Sequence, residues 1–483
     1  MKVLLGLIAS KGIQVIGALI ALRLSTTLLE ARELGSLYIL RSICAFFSLF
    51  LINPITQFIL RRTPAWHRSG AMWRNYRMAH WYFIVISLFS ALIAYIANRL
   101  GIGKGIPLWL FTVLIMAGVY FGALHQWFSI SLNILEAQLA FSLQNAMAAV
   151  SLLIFPVAIV MLWVPTGPAW FLGQTAGTLV MSAITLTMLR QLFPMAPAPY
   201  IFDGHSIFRN RLKIFWSFSG PLFLTTLFIW GQTSGYQLIL EQSAGLEFLG
   251  LLGLGFAIAA NIAGITESIV TQYLIPALVQ KADLMDKSNR VAAFGHFFHQ
   301  TIPVYLALCV FVSFLAEPIV VLLVSEKMKI CYPFVVFGIW IEGFRMTTGI
   351  LNTGSLMEMQ PRIAVVPQIL GGLLVLVGTS ALSFAPAFEE TLPYWLVFSG
   401  MFLAIYMFVT IRKHLHFPLE PWRFVYILLY SAPFVLSVFL KNSWTTKSGA
   451  FGCLCLAGTY FLFILYRFAN QQKDPADGDA FQQ

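Results

Sequence analysis

Several charged residues stand inside stretches of sequence that are otherwise apolar. Five of them are Arg23, Arg41, Glu267, Glu342 and Arg345. A charge within the hydrocarbon region of a membrane is costly, so it normally lines a cavity or has a partner of opposite charge. A guanidinium in such a place binds phosphate through a planar fork of N–H groups, and a buried carboxylate is a usual site of ion coupling. The three arginines are therefore candidate substrate-binding residues, and the two glutamates are ion-coupling candidates.

The two arginines of the first apolar hairpin differ in expected depth. Arg23 follows Lys11 by twelve residues, which is about 18 Å along a helix and places it deep if Lys11 marks the cytoplasmic edge. Arg41 precedes Arg61 by twenty residues. Arg41 therefore either lines a cavity or extends its long side chain to the outer boundary of the membrane.

Glu267 belongs to an unusually polar span that also contains Asn261, Thr266 and Gln272. Two arrangements account for such a span, a water-filled cavity or a hydrogen-bonded seam between helices. The sequence does not distinguish between them.

Glu342 and Arg345 are three residues apart and share one face of a helix, so they can pair with each other. In one interpretation they form a self-neutralised structural pair. In the other, Arg345 faces an anionic ligand and Glu342 serves as its counter-charge.

Motifs of enzymes, metal sites and cofactor sites are absent from the sequence. It contains no paired carboxylate motif, no GxSxG, no HExxH and no phosphate-binding loop. His296 and His299 are three apart, but two ligands are too few for a metal site. The five cysteines show neither metal spacing nor a disulfide framework. We therefore expect no metal, no cofactor and no enzymatic activity.

The composition indicates which elements must position these charges. Hydrophobic residues make up 59% and charged residues 10% of the chain, and the mean hydropathy is +0.81, whereas a soluble domain carries roughly 25% charged residues. The apolar runs are too long and too continuous for the alternating strands of a membrane barrel, and in lipid the alternative is a helix. The sequence predicts an all-α integral membrane protein with about fourteen transmembrane helices. The spans are approximately 12–29, 34–60, 78–98, 108–130, 144–164, 169–189, 214–238, 249–275, 299–324, 332–354, 363–386, 394–411, 424–440 and 449–467.

The distribution of basic residues predicts the orientation of these spans. With both termini in the cytoplasm, 20 of the 30 Lys and Arg residues fall in cytoplasmic segments and 7 in outer turns. This excess is the positive-inside pattern, and it accounts for the net charge of +11 without a nucleic-acid partner. The proposed cytoplasmic loop 131–143 is the exception, because it contains no Lys or Arg. The apolar start of the chain is predicted to be a retained helix, since no small-residue cleavage site follows it.

A proline-rich and basic segment after the sixth span divides the chain. The predicted parts are a six-helix bundle at 1–195, a cytoplasmic linker at 196–213, a second six-helix bundle at 214–411, and two extra helices with a polar cytoplasmic tail at 412–483. The hairpins that open the two bundles share a pattern, LLEARELGSLYIL in the first and LILEQSAGLEFLGLLGL in the second. This similarity predicts an internal repeat, which is common in transporters.

The first hairpin resembles the polysaccharide-biosynthesis (O-antigen-type) flippases of the multidrug/oligosaccharidyl-lipid/polysaccharide exporter superfamily. The residues that carry the resemblance are Arg23-Leu24, Glu33-Leu34-Gly35, Tyr38 and the segment from Asn53-Pro54 through Gln57 to Arg61-Arg62. The resemblance implies two bundles related by a pseudo-two-fold repeat around a cationic cavity, with alternating access in the bacterial inner membrane. It implies an undecaprenyl-diphosphate-linked oligosaccharide as substrate, membrane lipids as surroundings, and a polysaccharide polymerase and glycosyltransferases as partners.

Three other functions are compatible with a protein of this class. A cation-coupled multidrug exporter of the same superfamily would favour acidic residues in the first bundle, and its predicted spans contain none. A polymerase or ligase of O-antigen would need a large outer loop, and the predicted outer turns are short. A structural membrane protein would need no charges within its spans.

Overall fold

A computed structural model of the chain describes residues 2–194, 220, 222–271, 287–357 and 360–470. All regular structure within these ranges is helical. The predicted linker 196–213, Gln272, and the polar tail beyond residue 470 lie outside the described residues. The prediction of an all-α protein is confirmed.

The helices that precede the predicted linker are α1 (Lys2–Leu28), α2 (Ala31–Phe46), α3 (Asn53–Arg68), α4 (Met72–Arg99), α5 (Leu108–Ile134), α6 (Gln138–Leu162) and α7 (Gly167–Leu192). Those that follow it are α8 (Tyr236–Ser243), α9 (Gly245–Ile269), α10 (Lys287–Leu323), α11 (Tyr332–Met357), α12 (Val365–Leu382), α13 (Phe388–Leu415), α14 (Pro421–Ser431) and α15 (Lys447–Asn470). Residues 222–230 are also helical and lead into α8 through a π-helical turn, Gly231–Gly235.

Thirteen helical segments among the described residues are long and apolar enough to cross a membrane. They correspond to thirteen of the fourteen predicted spans. The remaining span, 214–238, lies partly outside the described residues, and its described part is helical. The expectation of about fourteen transmembrane helices is therefore confirmed.

Several predicted boundaries were wrong by more than a turn, and two of them concern predicted loops. The second span does not end at Arg61-Arg62, because α3 continues to Arg68. Similarly, the segment expected to be a loop at 131–143 is only the turn 135–137, in which Glu136 has a φ of 64°. In both places the helix extends beyond the apolar run that was used to locate it.

The long second span changes its helical geometry before a proline. The π-helical turn Phe47–Ile52 joins α2 to α3, and Pro54 is the second residue of α3. Proline has no N–H and its ring collides with the carbonyl four residues earlier in a regular helix. The wider π turn accommodates it, and such turns are frequent at functional sites.

The chain divides into two compact units, and the first comprises Met1–Gly253 and Gln368–Leu392. Within it, α2 and the start of α9 cross at two glycines, Gly35 and Gly250. A Cβ on Gly35 would overlap the carbonyl oxygen of Leu246, and a Cβ on Gly250 would overlap that of Ala31. Only glycine permits such a close approach of two helix backbones.

The second unit comprises Leu254–Pro367 and Pro393–Gln483. Its central helix is α10, which contacts α11, α14 and α15. The buried imidazole of His299 links α10 to the start of α14. Its Nδ1 lies 2.6 Å from the carbonyl oxygen of Gly295, and its Nε2 accepts a hydrogen bond from the backbone N–H of Glu420 at 2.8 Å. His299 therefore has a structural role.

Candidate functional site

Three of the five predicted residues meet at the guanidinium of Arg345. Its Nε donates a hydrogen bond of 2.6 Å to Oε2 of Glu342, one turn earlier on α11. Its Nη2 donates to Oε2 of Glu267 at 2.6 Å, and its Nη1 donates to Oε1 of the same carboxylate at 3.3 Å. We call these three residues the Arg345 cluster.

Small residues bring α9 and α11 close enough for this contact. A Cβ on Gly338 of α11 would lie 2.9 Å from the Cβ of Ala259, and a Cβ on Gly255 of α9 would lie 2.5 Å from the Cβ of Phe334. The two helices therefore approach closely before the level of Glu267. The three-residue spacing of Glu342 and Arg345 then turns both side chains towards the same neighbour.

The Arg345 cluster has one more carboxylate than guanidinium. With all three groups ionised, its net charge is −1. The side chains are only partly shielded, with exposed fractions of 39% for Arg345, 29% for Glu267 and 18% for Glu342. The Tyr305 phenol of α10 interacts electrostatically with Glu267 and Arg345, and its hydroxyl is buried without a hydrogen-bond partner among the described residues. The cluster is thus a polar centre within an apolar set of helices.

Arg41 lies in the first unit, where α2 runs beside α7. At one end, Oε2 of Glu33 accepts a hydrogen bond of 2.7 Å from the backbone N–H of Gly167, and a carboxylate at a helix N-terminus is favourable. About two turns further along both helices, Nε of Arg41 donates to Oε1 of Gln174 at 3.3 Å. The guanidinium also lies 5.9 Å from the centre of the Tyr38 ring.

The exposed side chain of Arg41 lines an open groove of about 400 Å³ among α2, α5, α6 and α7, which we call the Arg41 cavity. Gly122 contributes to the open space there, since a Cβ on it would meet nothing within 4 Å. Arg41 follows Ala31, the first residue of α2, by ten residues, or about 15 Å. The contact with this groove is compatible with the first of the two sequence interpretations, and the role of Arg41 in substrate binding stays a prediction. The residues that line the cavity are Arg41, Cys44, Ala45, Ser48, Gly118, Val119, Gly122, Ala123, Leu152, Phe171, Gln174, Thr175 and Thr178.

The residue after Arg41 links α2 to the π-helical turn Gly231–Gly235. The Ser42 hydroxyl donates a hydrogen bond of 2.6 Å to the carbonyl oxygen of Ser234. The Ser42 carbonyl in turn accepts one of 2.9 Å from the indole N–H of Trp230. Two bonds of this kind hold the Arg41 backbone in place.

Arg23 is half-buried on α1 in the first unit. Its carbonyl oxygen accepts hydrogen bonds from the hydroxyls of Thr26 at 3.0 Å and Thr27 at 2.8 Å. The role of its guanidinium in substrate binding stays a prediction.

A buried carboxylate in the first unit was missed by the sequence reasoning. Oε1 of Glu241, near the end of α8, accepts a hydrogen bond of 2.7 Å from the backbone N–H of Gly103. Burial raises the pKa of Glu241 to about 7, although the bonds from Gly103 and Lys104 and the charge of Lys104 act in the opposite direction. The sequence signal was the Leu-Glu pair of the second hairpin, which was used only to recognise the repeat.

No group of three or more potential metal ligands occurs in the part of the chain that the structure describes. The guanidinium groups of Arg41 and Arg345 can hold anions, and the carboxylates of Glu267 and Glu342 can hold cations.

Comparison with known proteins gives matches at the level of structure only. No protein-family model and no curated protein sequence matches the chain. The lipid II flippase MurJ in an inward closed conformation superimposes with a TM-score of 0.65 and 12% identity, over 97% of this chain and 99% of that one. An inward-facing multidrug resistance MATE transporter of the MOP superfamily gives 0.53 and 12% identity, over 84% of this chain and 94% of that one.

The chain has the fold of the MOP-superfamily transporters. It is a multi-pass membrane protein. At 12% identity the likeness concerns the fold alone, so the substrate has to be argued from the chain's own residues.

Proposed function

We propose that the protein is a flippase that moves an undecaprenyl-diphosphate-linked oligosaccharide across the bacterial inner membrane for surface polysaccharide synthesis. The Arg41 cavity carries this proposal. It contains one guanidinium and no carboxylate among its lining residues. In a low-dielectric setting such a cavity favours an anion and repels a cation.

The polar groups beside Arg41 suit a phosphorylated sugar. The Gln174 amide and the Thr178 and Ser48 hydroxyls line the same cavity and can exchange hydrogen bonds with sugar hydroxyls. A guanidinium binds phosphate oxygens in pairs. The lipid part of the substrate is inferred by analogy, since a lipid II flippase has the same fold.

Transport proceeds in this proposal by alternating access between two bundles, 1–195 and 214–411, with two further helices after them. The reciprocal crossing of Gly35 and Gly250 supports the underlying repeat. Glu267 and Glu342 are the candidates for coupling to a cation. Both termini are cytoplasmic, and a polysaccharide polymerase and glycosyltransferases act before or after the flippase.

Substitution of Arg41 tests the proposal in a deletion strain complemented with each variant. Export of surface polysaccharide is measured at matched protein level. We expect Arg41→Lys to retain partial export, Arg41→Ala to lose most of it, and Arg41→Glu to lose all of it, because a carboxylate repels the substrate. Arg99→Glu is the matched control, since Arg99 also lies over a tyrosine ring, at 5.4 Å from Tyr95, but at a helix end. Full export by Arg41→Glu would contradict the proposal.

A cation-coupled multidrug exporter is the second candidate, and the Arg345 cluster is the observation that favours it. The excess carboxylate there can attract a cationic drug. Loss of resistance to cationic dyes in the deletion strain, with intact surface polysaccharide, would favour this function over the first.

A further inference from the structure

The guanidinium of Arg345 is held at two edges by carboxylates of different kinds. Glu342 contacts Nε from the same helix, three residues away. Glu267 contacts the Nη1–Nη2 edge with both oxygens from another helix, 78 residues away in sequence. The first contact is local to α11, whereas the second depends on the position of α9.

The Nη edge is also the part of a guanidinium that recognises phosphate. Two parallel N–H groups match two oxygens of a carboxylate or of a phosphate in the same way. Glu267 therefore occupies this edge in the geometry that a phosphate group would take. Its side chain is 29% exposed and that of Arg345 39%, so the contact is not sealed from its surroundings.

We propose that Glu267 is an exchangeable internal occupant of a diphosphate site at Arg345. The diphosphate displaces the Glu267 carboxylate from the Nη edge, while Glu342 holds Nε and keeps the guanidinium in place. This inference rests on the proposed function for its ligand class and adds a gate to that function.

Binding of farnesyl diphosphate to the purified full-length protein in detergent tests the exchange. We expect Glu267→Gln to bind it about tenfold more tightly than the wild type, equivalent to about 1.4 kcal/mol, because the charged competitor is gone. We expect Glu342→Gln to increase the affinity less than Glu267→Gln does, because its amide oxygen still accepts the hydrogen bond from Nε and Glu267 still occupies the Nη edge. Glu326→Gln, which removes an exposed i,i+3 pair with Lys329, should bind as the wild type does.

A competition measurement separates exchange from a change in folding. Inorganic diphosphate should displace bound farnesyl diphosphate, and displacement by farnesol alone would overturn the proposal.

Equal or weaker binding by Glu267→Gln than by the wild type would also overturn it, as would no binding by either protein. The outcome is separable from that of the proposed function, because binding needs no transport. If Glu267→Gln binds more tightly but Arg41→Glu has no effect on export, the proposed flippase function is contradicted. The diphosphate site at Arg345 would still stand. If Arg41→Glu loses export but Glu267→Gln does not bind more tightly, only the displacement of Glu267 from Arg345 is contradicted.

Discussion

Gly35 and Gly250 occupy equivalent positions in a reciprocal helix crossing. Gly35 lies against the carbonyl of Leu246, four residues before Gly250, and Gly250 lies against the carbonyl of Ala31, four residues before Gly35. Each glycine therefore makes, against the other helix, the same contact that the other glycine makes against its own.

Substitution of either glycine by alanine should destabilise this crossing. The added Cβ meets backbone, which cannot move aside as a flexible side chain can, so we expect a loss of about 1–3 kcal/mol. Thermal unfolding in detergent measures it. Gly264→Ala on α9 is the control, because its Cβ would meet nothing within 4 Å and alanine favours helices. Equal melting temperatures for Gly35→Ala and Gly264→Ala would show that the crossing tolerates a methyl group.

The sequence predicted the elements of this fold better than their contacts. Apolar length was enough to place the helices, because lipid allows few alternatives. The shared Leu-Gly pattern predicted an internal repeat, but not the crossing at Gly35 and Gly250. The pairing of Glu342 with Arg345 followed from helical spacing. The contact of Glu267 with Arg345 did not, because it depends on the approach of α9 to α11. For Arg41 the sequence left two interpretations open, because the space beside it depends on small residues of another helix.

Arg23 provides a test of anion recognition that is independent of Arg41. It lies on α1, about 18 Å beyond Lys11, and a guanidinium binds phosphate with a fork that an ammonium lacks. We expect Arg23→Lys to retain part of the polysaccharide export and Arg23→Ala to lose most of it at normal protein level. Arg23→Glu should be the most severe, because it repels an anion. Full export by the glutamate variant would mean that Arg23 has a structural role.

The charge asymmetry predicts which turns face the cytoplasm. A cysteine introduced at Ser69, which is exposed in the short turn between α3 and α4, should resist a membrane-impermeant thiol reagent in intact cells. A cysteine at Lys104, exposed in the turn between α4 and α5, should react. The native cysteines are first replaced by serine. Reaction at residue 69 from outside would reverse the predicted orientation.

Glu241 should make the stability of the protein depend on pH. Its folded-state pKa of about 7 lies above the ordinary value of 4.5, chiefly because the carboxyl is buried. The folded state therefore retains a proton that the unfolded state releases, and stability decreases as the pH rises from about 4.5 to about 7. The change over this window is on the order of 3 kcal/mol.

Glu241→Gln should remove this dependence while its amide oxygen still accepts the hydrogen bond from Gly103. Melting temperatures in detergent at pH 5, 6, 7 and 8 measure the effect. The melting temperature of Glu241→Gln should exceed that of the wild type by the largest amount at pH 8. Glu247→Gln is the matched control, since Glu247 is exposed near the start of the next helix. The melting temperature of this variant should depend on pH as that of the wild type does. If Glu241→Gln showed the same decline between pH 5 and 7 as the wild type, the titrating group would be another residue. The contact of Glu241 with Gly103 would then be a plain hydrogen bond that pH does not regulate.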